Sequence, residues 1–312
     1  MFLNIHILLL VCRALLFIKK IVLSLMQNLE SMRILVTGSS GFIGSYLLNL
    51  LKGDDHELLC ADIKHNIDIC DWEQVKQYEN LDVVIHLANL SYVPDSYERP
   101  RDFYQTNYSS TLNMLELCRI NHARLIFLSS YVYGTPQYQP IDEKHPIQAF
   151  NPYAETKVIC EQLCEGYARD FGVPVTIFRP FNIYGKGQNP DFLIPTIIKQ
   201  AKNGHIQIKD ERPKRDYVHV NDVVGAIKAA LEINQKSALD VFNIGSGVSY
   251  SVKEIIEIVC DLFDQKIQYN CTNEFRRNEI LDTVSCIDKA IAELNWKPAI
   301  SIREGLKSLI DN

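Results

Sequence analysis

Tyr153 and Lys157 stand four residues apart, directly behind Asn151-Pro152. Asn caps helices well and Pro suits a first helical turn, so the pair is expected at the start of a helix. The spacing then puts both side chains on one helix face. A phenol with an ordinary pKa of ~10 is a poor base at neutral pH. A neighbouring ammonium and an oxidised nicotinamide both favour the phenolate. Lowering the pKa by ~3 units takes about 4 kcal/mol of differential stabilisation, which two close cations in a dry cleft can supply. Such a tyrosine can take a proton from an alcohol while hydride leaves the same carbon. Ser129 and Ser130 close the preceding strand-like run. A hydroxyl there can donate to the same substrate oxygen and relay its proton. Tyr-x-x-x-Lys alone is a common pattern; its weight comes from what precedes it.

Thr37-Gly38-Ser39-Ser40-Gly41-Phe42-Ile43-Gly44 spaces its glycines G-x-x-G-x-x-G, after one strand-like run and before a helical one. Gly38 permits a tight turn, Gly41 lets the backbone approach a pyrophosphate, and Gly44 allows helix and strand to pack closely. The helix start at Phe42-Ile43-Gly44 offers free N–H groups and a positive dipole end to phosphate. Asp62 ends the second strand-like run. A carboxylate there accepts the ribose hydroxyls of NAD and repels the 2′-phosphate of NADP; Lys64 nearby pulls the other way. Asp68-Ile69 and His86-Leu87-Ala88 end the next turns on the same sheet edge.

The elements that must position these groups alternate. Strand-like Arg33–Thr37, Glu57–Ala61, Asp82–His86, Arg124–Ser129 and Val173–Arg179 are separated by helical patterns at 42–51, 71–78, 102–121 and 152–171. Near-continuous apolar strands linked by helices predict an α/β, Rossmann-type doubly wound parallel sheet. After Arg179 the rhythm breaks into a loop-rich stretch at 180–190. Further helices are expected at 192–202, 221–233, 251–264 and 287–294, with Val241–Ile244 returning to the sheet. The division expected is an NAD-binding domain at 32–179, rejoined by 218–247, and a smaller C-terminal substrate lobe from 180–217 and 248–312. The site should lie between them, at the carboxyl ends of the strands.

With 47% hydrophobic residues, 22% charged residues and a formal net charge of -6, the chain is globular, and nothing basic in it suggests a nucleic-acid partner. Cys60, Cys118 and Cys260 sit in apolar runs and read as small buried hydrophobes. Cys160 and Cys164 lack the His neighbours of a zinc site, so no metal is expected. Reduced cysteines fit a cytoplasmic enzyme. Residues 1–31 stand apart: Leu- and Ile-rich, yet broken by His6, Arg13, Lys19 and Lys20. Their apolar stretches fall short of the ~20 residues of a spanning helix. The expectation is a gene-model extension ahead of Met32 or, if translated, a membrane-surface anchor.

Taken in order, the motifs resemble the extended short-chain dehydrogenases that act on nucleotide sugars, the NAD-dependent epimerase/dehydratase group with UDP-glucose 4-epimerase-like enzymes. The resemblance runs from about Met32 to the C-terminus. It is carried by Thr37–Gly44, His86–Ala88, Ser129–Gly134, Asn151–Lys157, Arg179–Gly185, Arg215–Asp222 and Leu294–Pro298. It implies that Tyr153 is the base, that Lys157 binds the nicotinamide ribose, and that Ser130 is the proton-shuttling hydroxyl. The run from the serines to Tyr133 is one residue short of the usual pattern, so Ser129 stays open. It further implies Asn107 and the Phe181 backbone near NAD, and Asn182, Arg215 and Arg276 on the nucleotide diphosphate; Arg forks suit phosphate oxygens. A homodimer pairing helices 102–121 and 152–171 is also implied. Family dehydratases and decarboxylases carry an acid just after the Ser or Thr. Here Tyr131 and Val132 follow Ser130. That argues against dehydration and leaves C4 epimerisation through a transient 4-keto sugar, with an NAD(P)H-dependent 4-keto-sugar reductase, or a catalytically silent homologue, as alternatives.

Overall fold

A computed structural model describes residues 31–311 apart from 234, 236, 264–265 and 276–278. The expectations for residues 1–30 and for Arg276 lie outside the described residues. β1 (Arg33–Thr37), α1 (Phe42–Leu51) and β2 (Glu57–Ala61) open the fold. Short α2 (Trp72–Val75) leads to β3 (Val83–His86). Next, α3 (Val93–Glu98) and α4 (Pro100–Asn121) lead to β4 (Arg124–Leu128), and α5 (Pro152–Phe171) leads to β5 (Val175–Pro180). Then come β6 (Asn182–Tyr184), α6 (Leu193–Lys202), β7 (His205–Ile208), β8 (Lys214–His219), α7 (Val220–Glu232) and β9 (Leu239–Ile244). β10 (Ser249–Ser251), α8 (Val252–Leu262), β11 (Gln268–Cys271), α9 (Asp288–Leu294) and α10 (Ile302–Ile310) complete it.

Six strands form one parallel sheet in the order β2-β1-β3-β4-β5-β9. The order reverses beside β1, the point where open α/β sheets bind ligands. Alternate residues of each strand face opposite layers. Ile34 and Val36 pack with Leu47 and Leu51 of α1 and with Val223 and Ile227 of α7. Leu35 and Val84 pack with Met114 and Leu115 of α4 and with Cys160 and Cys164 of α5. Cys118 is also buried, whereas Cys60 and Cys260 are only half-buried; all eight cysteines among the described residues are free. α5 keeps its expected bounds because both ends are capped. Asn151 accepts from Ala154 N at 2.8 Å, and Gly172 leaves the helix at φ +69°.

The lobe has its own core, including Ile194, Ile197, Ile206, Ile255, Ile256 and Leu306. It carries β10-β8-β6 and β11-β7, small sheets that pair residues distant in the chain. β6 lies inside the stretch expected to be loop, because its only partner is β8. The C-terminal segment is shared between the two halves. Ala290, Leu294 and Trp296 join the core under the large sheet, while Ile302 and Leu306 of α10 join the lobe core. Trp296 Nε1 donates to Asp222 O at 3.0 Å, and the Asp222 carboxylate accepts from the Ala299 and Ile300 amides at 2.9 and 3.1 Å. Among the described residues no helix is long and apolar enough to cross a membrane.

Candidate active site

A cleft of about 2000 Å³ runs along the carboxyl ends of the strands and under the lobe. Its dinucleotide end is built by backbone. Gly38 turns at φ +66°, and a Cβ there would meet Ala88 Cα at 2.8 Å. A Cβ on Gly44 would meet Ser39 Cα at 2.8 Å, and one on Gly41 would meet Gly38 O at 3.1 Å. Thr37 Oγ1 accepts from the Leu87 and Ala88 amides at 3.2 and 3.3 Å, tying this turn to the end of β3. Gly41 is the N-cap of α1, with no side-chain cap bond and no acid in the first turn of the helix. The first N–H groups of α1 are thus left without a side-chain partner from the cap, which suits a pyrophosphate.

Asp62, 8% exposed, accepts from Ser40 N at 3.0 Å and Lys64 N at 2.9 Å. Phe42, Ile43, Asp68, Ile69, Leu87, Ala88 and Phe181 all reach the cleft wall as expected. The Phe181 amide is already bonded to Ile244 O at 2.8 Å. Asn107 does not reach the cleft. It is 1% exposed, and its amide bridges Leu90 N (2.9 Å), Leu90 O (3.1 Å) and Thr156 Oγ1 (2.9 Å). It braces the loop after β3 against α5.

At the middle of the cleft Ser130 and Tyr153 both line the wall, with the Ser130 hydroxyl near enough to oppose the rise of the Tyr153 pKa. Ser129 points elsewhere and donates to Glu161 Oε1 at 2.5 Å, so the two serines are distinguished. Lys157, 2% exposed, donates from Nζ to Leu128 O at 2.8 Å and lies 4.7 Å from the Phe127 ring centre. Burial pushes the Lys157 ammonium down to about 8, opposed by Cys160, Glu161 and Cys164. Burial also pushes the Tyr153 phenol up to about 12, with the Ser130 hydroxyl opposing. The lowering expected from sequence is thus not achieved by the protein's own groups, since desolvation outweighs them.

On the lobe side, Asn182 and Arg215 both line the cleft. Asn182 Nδ2 contacts Asp216 O at 3.4 Å. Arg215 pairs with Glu279 at 2.5 Å and donates to Ile280 O at 2.6 Å, so its fork is held rather than solvated. Several wall residues had no sequence signal strong enough to mark them. Tyr131 donates to Gly134 O at 2.6 Å and stands edge-on to Phe181 at 5.2 Å. Tyr92, before α3, meets Phe192 of the lobe at 5.7 Å. Asn89 and Gln188 each bury a side-chain oxygen without a hydrogen-bond partner on this wall. Asn89 follows His86-Leu87-Ala88 directly, a cue that strand-end reasoning could have used.

Fold and site together define a dinucleotide-dependent enzyme of the short-chain dehydrogenase type. The match is more specific than that: the chain belongs to the NAD dependent epimerase/dehydratase family, whose family model matches residues 34–245. A putative UDP-glucose 4-epimerase of Methanocaldococcus jannaschii is 33% identical over 305 residues, covering 89% of this chain and 97% of the relative. A GDP-6-deoxy-D-mannose reductase of Pseudomonas aeruginosa is 29% identical, covering 90% and 96%. The solved UDP-glucose 4-epimerase of Thermotoga maritima with UDP-glucose superposes with a TM-score of 0.81 at 27% identity, covering 90% of this chain and 98% of that one. The chain is therefore an enzyme of an NAD-dependent family, with relatives that include epimerases and a reductase.

Proposed function

We propose that this enzyme is a nucleotide-sugar epimerase that inverts C4 through a transient 4-keto sugar. The observation that carries the reading is the pairing of Ser130 with Tyr153 in the cleft, with Tyr131 and Val132 rather than an acid following Ser130. Tyr131 spends its hydroxyl on Gly134, and Val132 is fully buried. Bound NAD supplies the acceptor for the hydride and returns it. Gly38, Gly41, Phe42, Ile43 and Gly44 would hold its pyrophosphate side, Asp62 its adenosine ribose, and Lys157 its nicotinamide ribose. Tyr153 takes the proton of the sugar hydroxyl, with Ser130 as relay, as hydride leaves the same carbon. Once the keto sugar has turned over, Tyr153 returns the proton to the new hydroxyl. Asn182, Arg215 and Arg276 would hold the nucleotide diphosphate. In this division of labour 32–179 with 218–247 binds NAD, and 180–217 with 248–312 binds the sugar nucleotide.

The reading includes a cytoplasmic location, in keeping with the free cysteines. It also includes a homodimer through α4 and α5, supported by Tyr104, Tyr108 and Phe171 exposed on those helices. A monomer's mass in light scattering would remove the dimer. The decisive test incubates purified protein with a panel of nucleotide sugars without added NAD(H). Epimer formation is expected, and turnover only with added NAD(P)H would refute epimerisation. One observation favours a second reading as a 4-keto-sugar reductase. Lys64 Nζ reaches Ser40 O at 3.1 Å and His65 Nε2 meets Ser40 Oγ at 3.1 Å, so a lysine and a histidine stand beside Asp62 that could receive a 2′-phosphate.

A further inference from the structure

Behind the reacting hydroxyls lies a buried ion pair that the chemistry above does not use. The side chains of Arg179 on β5 and Glu161 on α5 are 6% and 7% exposed and meet at 2.6 Å. Arg179 Nε also donates to both Glu161 oxygens at 3.1 and 3.2 Å, and Nη1 donates to the Tyr133 hydroxyl at 3.1 Å. Tyr133 in turn donates to Asn243 Oδ1 at 2.6 Å. Burying two charges costs desolvation that their attraction roughly offsets, so such a pair is weak evidence for a stabilising role alone.

What the pair does touch is the end of β4. Three consecutive residues there meet three residues spaced four apart on α5. Leu128 O holds the Lys157 ammonium, Ser129 donates to Glu161, and Ser130 meets Tyr153. Ser129 is 3% exposed, and its bond to Glu161 fixes the peptide from which Ser130 projects. Resting on the reading of Ser130 and Tyr153 as the reacting pair, we propose that Glu161, held by Arg179, is a positioning residue. It pins Ser129 so that Ser130 meets Tyr153, and it supplies a carboxylate charge that favours the Lys157 ammonium. The other titratable groups acting on Lys157 are Cys160 and Cys164 on α5 and His86 on β3, while Arg179 faces Glu161 from β5. His86 is kept neutral by burial, its pKa pushed down to about 3.

Two variants of the full chain test this. In Glu161→Gln the carboxylate is lost and Arg179 is left uncompensated, and both changes disfavour the ammonium. NMR titration of nitrogen-labelled lysine side chains should find the Lys157 midpoint lower by roughly half a pH unit or more. An unmoved midpoint overturns the inference. Should the single variant not fold, Glu161→Gln/Arg179→Met removes both buried charges and carries the same expected direction. Ser129→Ala leaves the ion pair intact and removes only the pin. Its kcat should fall about tenfold with KM and the Lys157 midpoint unchanged, and Ser129→Thr should restore most of the loss. Unchanged kcat in Ser129→Ala overturns the positioning role. The lysine titration needs no substrate. A protein that turns over none of the sugars therefore sinks the functional reading, while the Glu161 linkage is still decided by the midpoint.

Discussion

The dinucleotide end of the cleft and its lobe end are made in different ways. The first is backbone against backbone: Gly38 and Gly44 leave no room for a Cβ, and Thr37 ties two main-chain amides. The second depends on charged side chains that reach across the chain. Arg215 is latched by Glu279, and the Asp216 carboxylate accepts from the backbone amides of Ser246, Gly247 and Ser285. A backbone site tolerates almost no substitution, because main chain cannot step aside. A side-chain site can be retuned one contact at a time. A family built this way can keep one cofactor while changing its sugars.

The sharpest test of that contrast sits at the boundary. Tyr153→Phe should lower turnover at least ~100-fold while NAD stays bound; near-normal turnover would remove Tyr153 as the base. Next in size, Gly44→Ala should strip the protein of NAD and destabilise it by roughly 2–4 kcal/mol in urea unfolding. Arg215→Gln should instead raise KM for the sugar nucleotide about tenfold with NAD content unchanged. Equal loss of NAD in the two variants would break the comparison. Asp62→Ala should relax NAD over NADP about tenfold in direct binding, and an unchanged ratio would take Asp62 out of the ribose site. Smallest is a pH effect. His86, bonded to Thr37 Oγ1 at 2.7 Å, has its folded pKa pushed down to about 3 by burial. The unfolded chain, with an ordinary imidazole near 6.5, therefore takes up the proton first. The stability His86 confers is present above about pH 6.5 and lost as pH falls toward 3. Roughly 1 kcal/mol should go between about pH 7 and pH 5.5, and a His86→Asn variant should flatten that slope.

The same contrast explains what the sequence made legible. Glycine spacing, Asn151-Pro152 and the apolar strands are local signals, so the parallel sheet, α5 and the dinucleotide turn could be read directly. β6 and β10 have three residues each, and with β8 they find partners only at a distance. Nothing within Asn182–Tyr184 announces a strand. The choice between Ser129 and Ser130 needed Glu161, whose position behind the sheet no spacing rule supplies. The bracing role of Asn107 between Leu90 and Thr156 joins segments far apart in the chain, so no local pattern announces it. Tyr92 reaches the cleft through α3, a helix of six residues that the pattern did not mark.

The C-terminal strap bears on how the molecule comes into being. The core beneath the large sheet includes Ala290, Leu294 and Trp296, and Trp296 is bonded to Asp222. A chain still emerging from the ribosome must deliver its residues through Trp296 before that core can close. Until then the part of α7 around Asp222 and Gly225, which Trp296 meets, stays uncovered.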